Sequence, residues 1–268
     1  MTRVRPLTSG GFPSAVARRF ARWSRAAGAR RNARRLASYR DQHAGERCFI
    51  IGNGPSLSIT DLVRLSGETT FAANKIYLAF GLTAWRPTYY VAEDDHFLEQ
   101  HHAEISRWPG FVKFVNGRWR HLFRGDREVI WYPWRPPDAH AFPRFSTDAL
   151  RVLHCGYMVT YVSLQLAYWM GFSRVYLLGV DFDYGTRFAG VPTVAHASEH
   201  GRDHFVPNYF KPGELRYLPR LDLAEVAMRC ALDAYRAGGR QVWNATPGGK
   251  LEVFERTTLD DVLRGEAG

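Results

Sequence analysis

The run Cys48-Phe49-Ile50-Ile51-Gly52-Asn53-Gly54-Pro55-Ser56-Leu57 constrains this chain more than any other. A β-branched and aromatic stretch stops abruptly at Gly-x-Gly, and a polar residue then opens a helical segment, so the run reads as strand, tight turn, helix. Glycines at such a turn let the main chain approach a ligand closely. The helix N-terminus behind them carries partial positive charge, and together the two present backbone N–H groups to a phosphate. The run is neither Gly-x-Gly-x-x-Gly nor a Walker loop, because Pro55 and Ser56 follow and no Gly-Lys-Ser/Thr occurs. An ordinary strand-to-helix turn shares its pattern, so the remaining sequence has to decide between them.

That sequence alternates. Apolar β-rich runs predict strands at 47–51, 69–73, 88–92, 111–115, 128–131, 174–178 and 241–244. Helical patterns fall at 59–65, 97–107, 156–170 and 222–237. Strands alternating with helices imply an α/β, Rossmann-like fold: a mostly parallel sheet with helices on both faces. The stretch 182–219 is polar, rich in Gly, His and Pro, and without a period, which suits a lid. The expected organisation is a basic amphipathic N-terminal extension (1–45), an α/β domain (46–256) carrying that lid, and a C-terminal tail (257–268).

Charge separates the extension from the body. The chain carries +10, yet residues 1–40 contain 11 arginines and neither lysine nor acid, leaving the rest at −1. Val16, Phe20, Trp23 and Ala27 recur on one stripe of a helix flanked by arginines. Such a helix suits an anionic membrane surface, resembles an organelle transit leader in composition, and equally suits a solvated tail or a helix docked on the domain. Nucleic acid is not expected, because the body has no matching basic excess. Three widely spaced cysteines support neither a disulfide framework nor a zinc site, and fit a cytoplasmic protein, peripheral on the inner membrane face if the helix binds lipid. Residues 155–172 lack charge but contain Gly, Thr, Ser and Gln and barely reach bilayer length, so a buried helix is expected there.

In parallel sheets, ligands sit beyond the carboxyl ends of the strands. Four predicted strand ends carry polar residues suited to a site: Asn53 with Gly54, Asn74, Glu93 with Asp94, and Asp181. These are expected to surround one nucleotide-sized hollow. Each also has a plainer use: Asn74 as a turn residue, Asp94 and Asp95 as helix N-caps.

Several of these residues belong to longer matches. Phe49–Leu57, then Asn74-Lys75-Ile76-Tyr77, then Pro87-Thr88-Tyr89-Tyr90-Val91-Ala92-Glu93-Asp94 resemble the 6-hydroxymethylpterin diphosphokinase MptE-like family. So do Gly171-Phe172, Tyr176-Leu177-Leu178-Gly179-Val180-Asp181, Asp203-His204-Phe205 and Asn244-Ala245-Thr246-Pro247-Gly248-Gly249-Lys250-Leu251, in order over about 46–256. The resemblance implies either a pterin pyrophosphokinase or, as for bacterial relatives, a role in surface-glycan synthesis. The same landmarks are similar to the bacterial sialyltransferases of glycosyltransferase family 42. That similarity implies nucleotide contacts from Gly52, Asn53, Gly54, Ser56 and Asn74, with Cys155-Gly156 where that family has Ser-Gly. Its tyrosine after Asp-Phe is displaced here to Tyr184, behind Asp183, and its catalytic histidine aligns nearer Asn208 than His204.

Two enzymes and one non-enzyme follow from this. The first is a glycosyltransferase using a nucleotide-activated, CMP-linked sugar, with a glycan or lipid-linked acceptor and no cofactor. His204 is the candidate base, with His200 next; Asp181 and Tyr184 complete the catalytic set, and Arg202 could steady phosphate charge. Glu93, Asp94, Cys155 and Gly156 join the nucleotide-binding set. The alternative is ATP-dependent pyrophosphoryl transfer, in which Mg²⁺ would need hard oxygen ligands from Asp181 and Asp183, with Glu93 and Asp94 available. A non-catalytic nucleotide-binding module is the third reading.

Overall fold

The computed structural model describes residues 15–138, 140–183, 194–196, 204–211, 214–217 and 220–266, with 15–25, 194–196 and 215–217 described by backbone alone. In chain order the elements are α1 (Ala15–Ala37), β1 (Arg47–Ile51), α2 (Ile59–Arg64), β2 (Thr70–Ala73), β3 (Tyr89–Ala92), α3 (Asp95–Arg107), β4 (Val112–Asn116) and β5 (Val129–Tyr132). Then come β6 (Trp134–Arg135), β7 (Leu153–His154), α4 (Val159–Trp169), β8 (Arg174–Leu178), β9 (Val194–His196) and β10 (Leu215–Tyr217). The chain closes with α5 (Leu221–Ala237), β11 (Gln241–Asn244), β12 (Glu255–Arg256) and α6 (Leu259–Arg264).

Eight strands form one sheet in the order β12-β11-β8-β1-β2-β3-β4-β5, every pairing parallel. The fold is therefore α/β and Rossmann-like, as the alternation predicted. Strand pleating sorts the core. Cys48 and Ile50 join the cluster with α4 and α5, while Phe49 and Ile51 join the cluster with α2, α3 and α6 on the other face. α4 is buried almost throughout, and among the described residues no helix is long and apolar enough to cross a membrane. In the stretch read as a C-terminal tail, α6 buries Leu259 and Val262.

The edge of β5 is covered by α1. Asn32 donates from Nδ2 to the Trp131 carbonyl (2.7 Å) and accepts the Trp131 N–H at Oδ1 (3.0 Å), so one side chain supplies both bonds a further strand would make. Arg35 donates to the Val129 carbonyl at 2.8 Å. Covering an exposed edge removes a template for unwanted pairing. Arg30, Arg31 and Arg34 stay exposed on the helix.

From β1 the chain builds outward through β2 to β5, then returns to lay β8 against the other side of β1. That reversal is the topological switch point, and a crevice at the carboxyl ends of β1 and β8 is its consequence.

Candidate functional site

The turn after β1 lies against the turn after β8. Gly54 N–H donates to the Gly179 carbonyl at 2.9 Å. A Cβ on Gly52 would stand 2.2 Å from that carbonyl oxygen, and one on Gly54 would stand 1.8 Å from Asp181 Oδ2. Both glycines are thus demanded by close approach of two strand ends. Asp181 serves that junction: it accepts Ser56 N–H at 3.2 Å and Ser56 Oγ–H at 2.8 Å. Burial raises its pKa above the ordinary carboxylate value, against the Ser56 bonds that lower it. Behind it, Val180 N–H donates to Thr246 Oγ1 at 3.1 Å and Lys250 N–H to the Asp181 carbonyl at 2.7 Å, so the Asn244–Leu251 motif braces the same turn.

A cavity of about 70 Å³ opens at this junction, lined by Asn53, Asn74, Val159, Thr160, Asp181, His204 and Tyr209 among others. Asn53 donates from Nδ2 to the Ala73 carbonyl at 2.9 Å, but its Oδ1 is buried without a partner, and so is Oδ1 of Asn74. Unpaired buried acceptors cost about 1–3 kcal/mol each. Asn74 also sits at φ 51 and Phe182, another lining residue, at φ 56. Left-handed backbone costs a non-glycine residue roughly 1–2 kcal/mol, least for asparagine. Strain and unsatisfied polarity therefore coincide here. The α4 N-terminus adds to them: Met158 caps it without a side-chain hydrogen bond, and the following Val159 and Thr160 face the cavity.

The outer wall is the segment from His204 to Phe210. Phe205 N–H donates to the Asn53 carbonyl at 3.1 Å, and the His204 ring stacks on Tyr209 with centroids 3.8 Å apart. Lys75 latches this wall. Its Nζ, buried, donates to the Tyr209 carbonyl at 2.9 Å and to Glu214 Oε1, which also meets His101 Nε2 at 2.9 Å. Burial lowers the Lys75 pKa despite Glu214; burial is also the largest influence on Glu214, raising it, but the hydrogen bonds from Lys75, the Lys211 N–H and His101, with the Lys75 charge, together outweigh it and the net direction is down. Small-molecule sites usually measure roughly 300–1,000 Å³, so the hollow has room for a phosphate-sized group and is smaller than the nucleotide-sized one expected.

The expected convergence is met by Asn53, Asn74 and Asp181, with His204 beside them. Glu93 is a correction. It ends β3 away from the cavity, 6% exposed, with Cys155 Sγ donating to Oε1 at 3.8 Å and Oε2 left without a partner. Burial, then the Asp94 charge, push its pKa up to about 8, against weaker opposing contributions from the nearby Trp134 indole and Cys155. It is mostly neutral at pH 7. Asp94 caps α3, accepting Phe97 N–H at 2.7 Å, the plainer of its two expected uses. Cys155 and Gly156 do not line the cavity either; Gly156 is demanded by Tyr161, whose ring would lie 2.4 Å from any Cβ at that position. Ser56 faces Asp181 in place of a ligand. The candidate residues Tyr184, His200 and Arg202 lie outside the described residues.

Of the acids proposed for Mg²⁺, Asp181 and Asp183 line the cavity, whereas Glu93 and Asp94 do not. Asp183 pairs with Lys250 at 2.7 Å, Asp181 holds Ser56, and Glu93 is mostly neutral. Among the described residues no three His, Cys, Asp or Glu side chains converge. The sequence reading missed Lys75, Tyr209 and the α4 N-terminus. Lys75 alone had a signal, its place beside Asn74 in a quoted motif.

No protein-family model matches the chain and no curated protein matches it, so the MptE-like and family 42 resemblances rest on motifs. Among solved structures the chain is similar to the MAf glycosyltransferase from Magnetospirillum magneticum AMB-1, at 18% identity and a TM-score of 0.49. The match covers 89% of this chain and 42% of that one, so the chain spans less than half of that protein's length.

Proposed function

We propose that the chain is a glycosyltransferase whose donor is a nucleotide-activated sugar, CMP-linked, acting in cell-surface glycan synthesis. The observation that carries this reading is the pair of partnerless amide oxygens, Asn53 Oδ1 and Asn74 Oδ1, in residues lining one cavity at the topological switch point. Acceptor oxygens call for donors, which ribose hydroxyls and an exocyclic base amine supply. The α4 N-terminus lies in the same wall for the phosphate, without a metal. On this reading His204, which also lines the cavity, takes the acceptor hydroxyl proton. The reading is tested by thermal shift with CMP, UDP, GDP and ATP, each with and without Mg²⁺. Metal-independent stabilisation by CMP is expected; stabilisation by ATP only with Mg²⁺ would replace it with pyrophosphoryl transfer.

The acceptor, on this reading, is lipid-linked and presented at an anionic membrane surface. The exposed Arg30, Arg31 and Arg34 on α1 support that placement. Co-sedimentation of the chain with anionic vesicles at low salt, absent with neutral ones, is the expected result; no difference between the two would remove the membrane from the proposal.

A further inference from the structure

A second hollow, of about 370 Å³, lies on the β5 side of the molecule and is lined by Arg135, Arg144, Arg151 and His154. A smaller recess lined by Arg135, Arg144, His154 and Cys155 adjoins it. None of the three arginine side chains makes an ion pair or hydrogen bond among the described residues, unlike nearby Arg40, which pairs with Asp148 at 3.6 Å. Two acids face the region. Asp148 is held by Arg40 and accepts Leu150 N–H at 2.9 Å, and Asp138 accepts His140 N–H at 3.0 Å. The three exposed guanidinium groups concentrate positive charge around one concavity, which attracts an anion and offers it forked hydrogen-bond donors.

The walls are fixed by buried groups. Gln165, wholly buried, accepts both Ser146 N–H and His154 N–H at 3.0 Å and returns a bond to the His154 carbonyl at 2.8 Å. Tyr161 Oη–H donates to the Arg144 carbonyl at 2.8 Å, and Cys155 N–H to the Arg135 carbonyl at 3.1 Å. The backbones bearing Arg135, Arg144 and His154 are thus set before any ligand arrives, which lowers the entropic cost of binding. Burial, then Arg144 and Arg135, lower the His154 pKa below the ordinary imidazole value. From His154 five residues lead to Val159 at the first cavity, a span of at most about 17 Å.

We propose that Arg135, Arg144, Arg151 and His154 form a binding site for a phosphate or diphosphate group on a ligand other than the nucleotide. Under the transferase reading, on which the ligand's role as acceptor rests, that group belongs to a sugar phosphate or a diphosphate-linked lipid. Calorimetry of the full chain with inorganic pyrophosphate tests it directly, alone and with saturating CMP. Binding that CMP leaves intact, that Arg144→Gln and Arg135→Gln each weaken about tenfold or more, and that raises the His154 pKa in ring-proton NMR is the expected result. Loss of a charge-assisted contact without loss of fold is checked by an unchanged melting temperature in both variants. Absence of binding at millimolar pyrophosphate, binding indifferent to both variants, or displacement by CMP would overturn the proposal. Failure of CMP to bind, with pyrophosphate still bound, would instead remove the transferase reading and leave this site standing. Competition from vesicles containing phosphatidic acid assigns the phosphate to a lipid, and its absence to a soluble ester.

Discussion

The β1/β8 end and the β3 end of the same sheet rim both hold buried polar atoms without partners, yet they differ in what surrounds them. Asn53 and Asn74 line a cavity behind a wall that the buried Lys75 side chain and the Phe205 N–H to Asn53 carbonyl bond help to hold. Glu93 Oε2 and the Trp134 indole nitrogen are buried and line neither hollow, with Cys155 Sγ beside the Glu93 carboxyl and Asn116 and Tyr132 bonded to the backbone carbonyls of Glu93 and Ala92. An unsatisfied group beside a cavity can be satisfied by a ligand; one inside packing can only change its protonation state. Glu93 has done the latter, which is why the same chemical signature marks a candidate site at one end and a structural compromise at the other.

The latch offers the largest test of this contrast. Glu214→Gln leaves the Lys75 ammonium buried without its counter-charge, at a cost of about 3–5 kcal/mol. The expected result is early loss of hydrogen-exchange protection at the Phe205 amide, with Lys75→Met/Glu214→Met recovering most of the stability. Protection at Phe205 unchanged in Glu214→Gln would mean that Lys75 does not hold the wall.

Next in size is the sealed carboxyl. The folded pKa of Glu93, about 8, lies above its ordinary value of 4.5. Between those values the folded state binds more protons than the unfolded one, so stability falls as pH rises across this window and is flat above it. Glu93→Gln removes the slope. Relative to the parent it should gain on the order of 4 kcal/mol or somewhat less at pH 8.5 and almost nothing near pH 4, read from urea denaturation at both pH values. Parallel pH profiles for the two proteins would place Glu93 in contact with water.

The smallest stability effect and the sharpest functional one belong to Asn74→Gly. Glycine accepts φ 51 without strain, so stability should change by less than about 1 kcal/mol, while one amide oxygen leaves the cavity. CMP affinity is expected to fall about tenfold. A thermal shift by CMP equal to that of the parent would take Asn74 out of the binding site.

Much of this architecture was legible in the residues. Strands at 47–51, 174–178 and 241–244 were placed to the residue, because each is a short apolar run closed by Gly or Asn. The two-residue strands β6, β7 and β12 were not, since two residues carry no period. The 8-stranded order was not legible either, because parallel neighbours are chosen by crossovers and not by adjacency in sequence. Within the site, Asn53, Asn74 and Asp181 were found because they end strands. Lys75 and Tyr209 escaped because their partners lie more than 130 residues apart.

Local pattern by itself determined that this chain forms a parallel α/β sheet with a glycine turn after its first strand, since apolar period and turn chemistry act over a few residues. Only the tertiary structure decided which strand-end polar groups share a cavity and which are sealed, because that depends on strand order and on what packs over each rim. It also gathered Arg135, Arg144, Arg151 and His154 around one hollow, a grouping that no window of sequence displays.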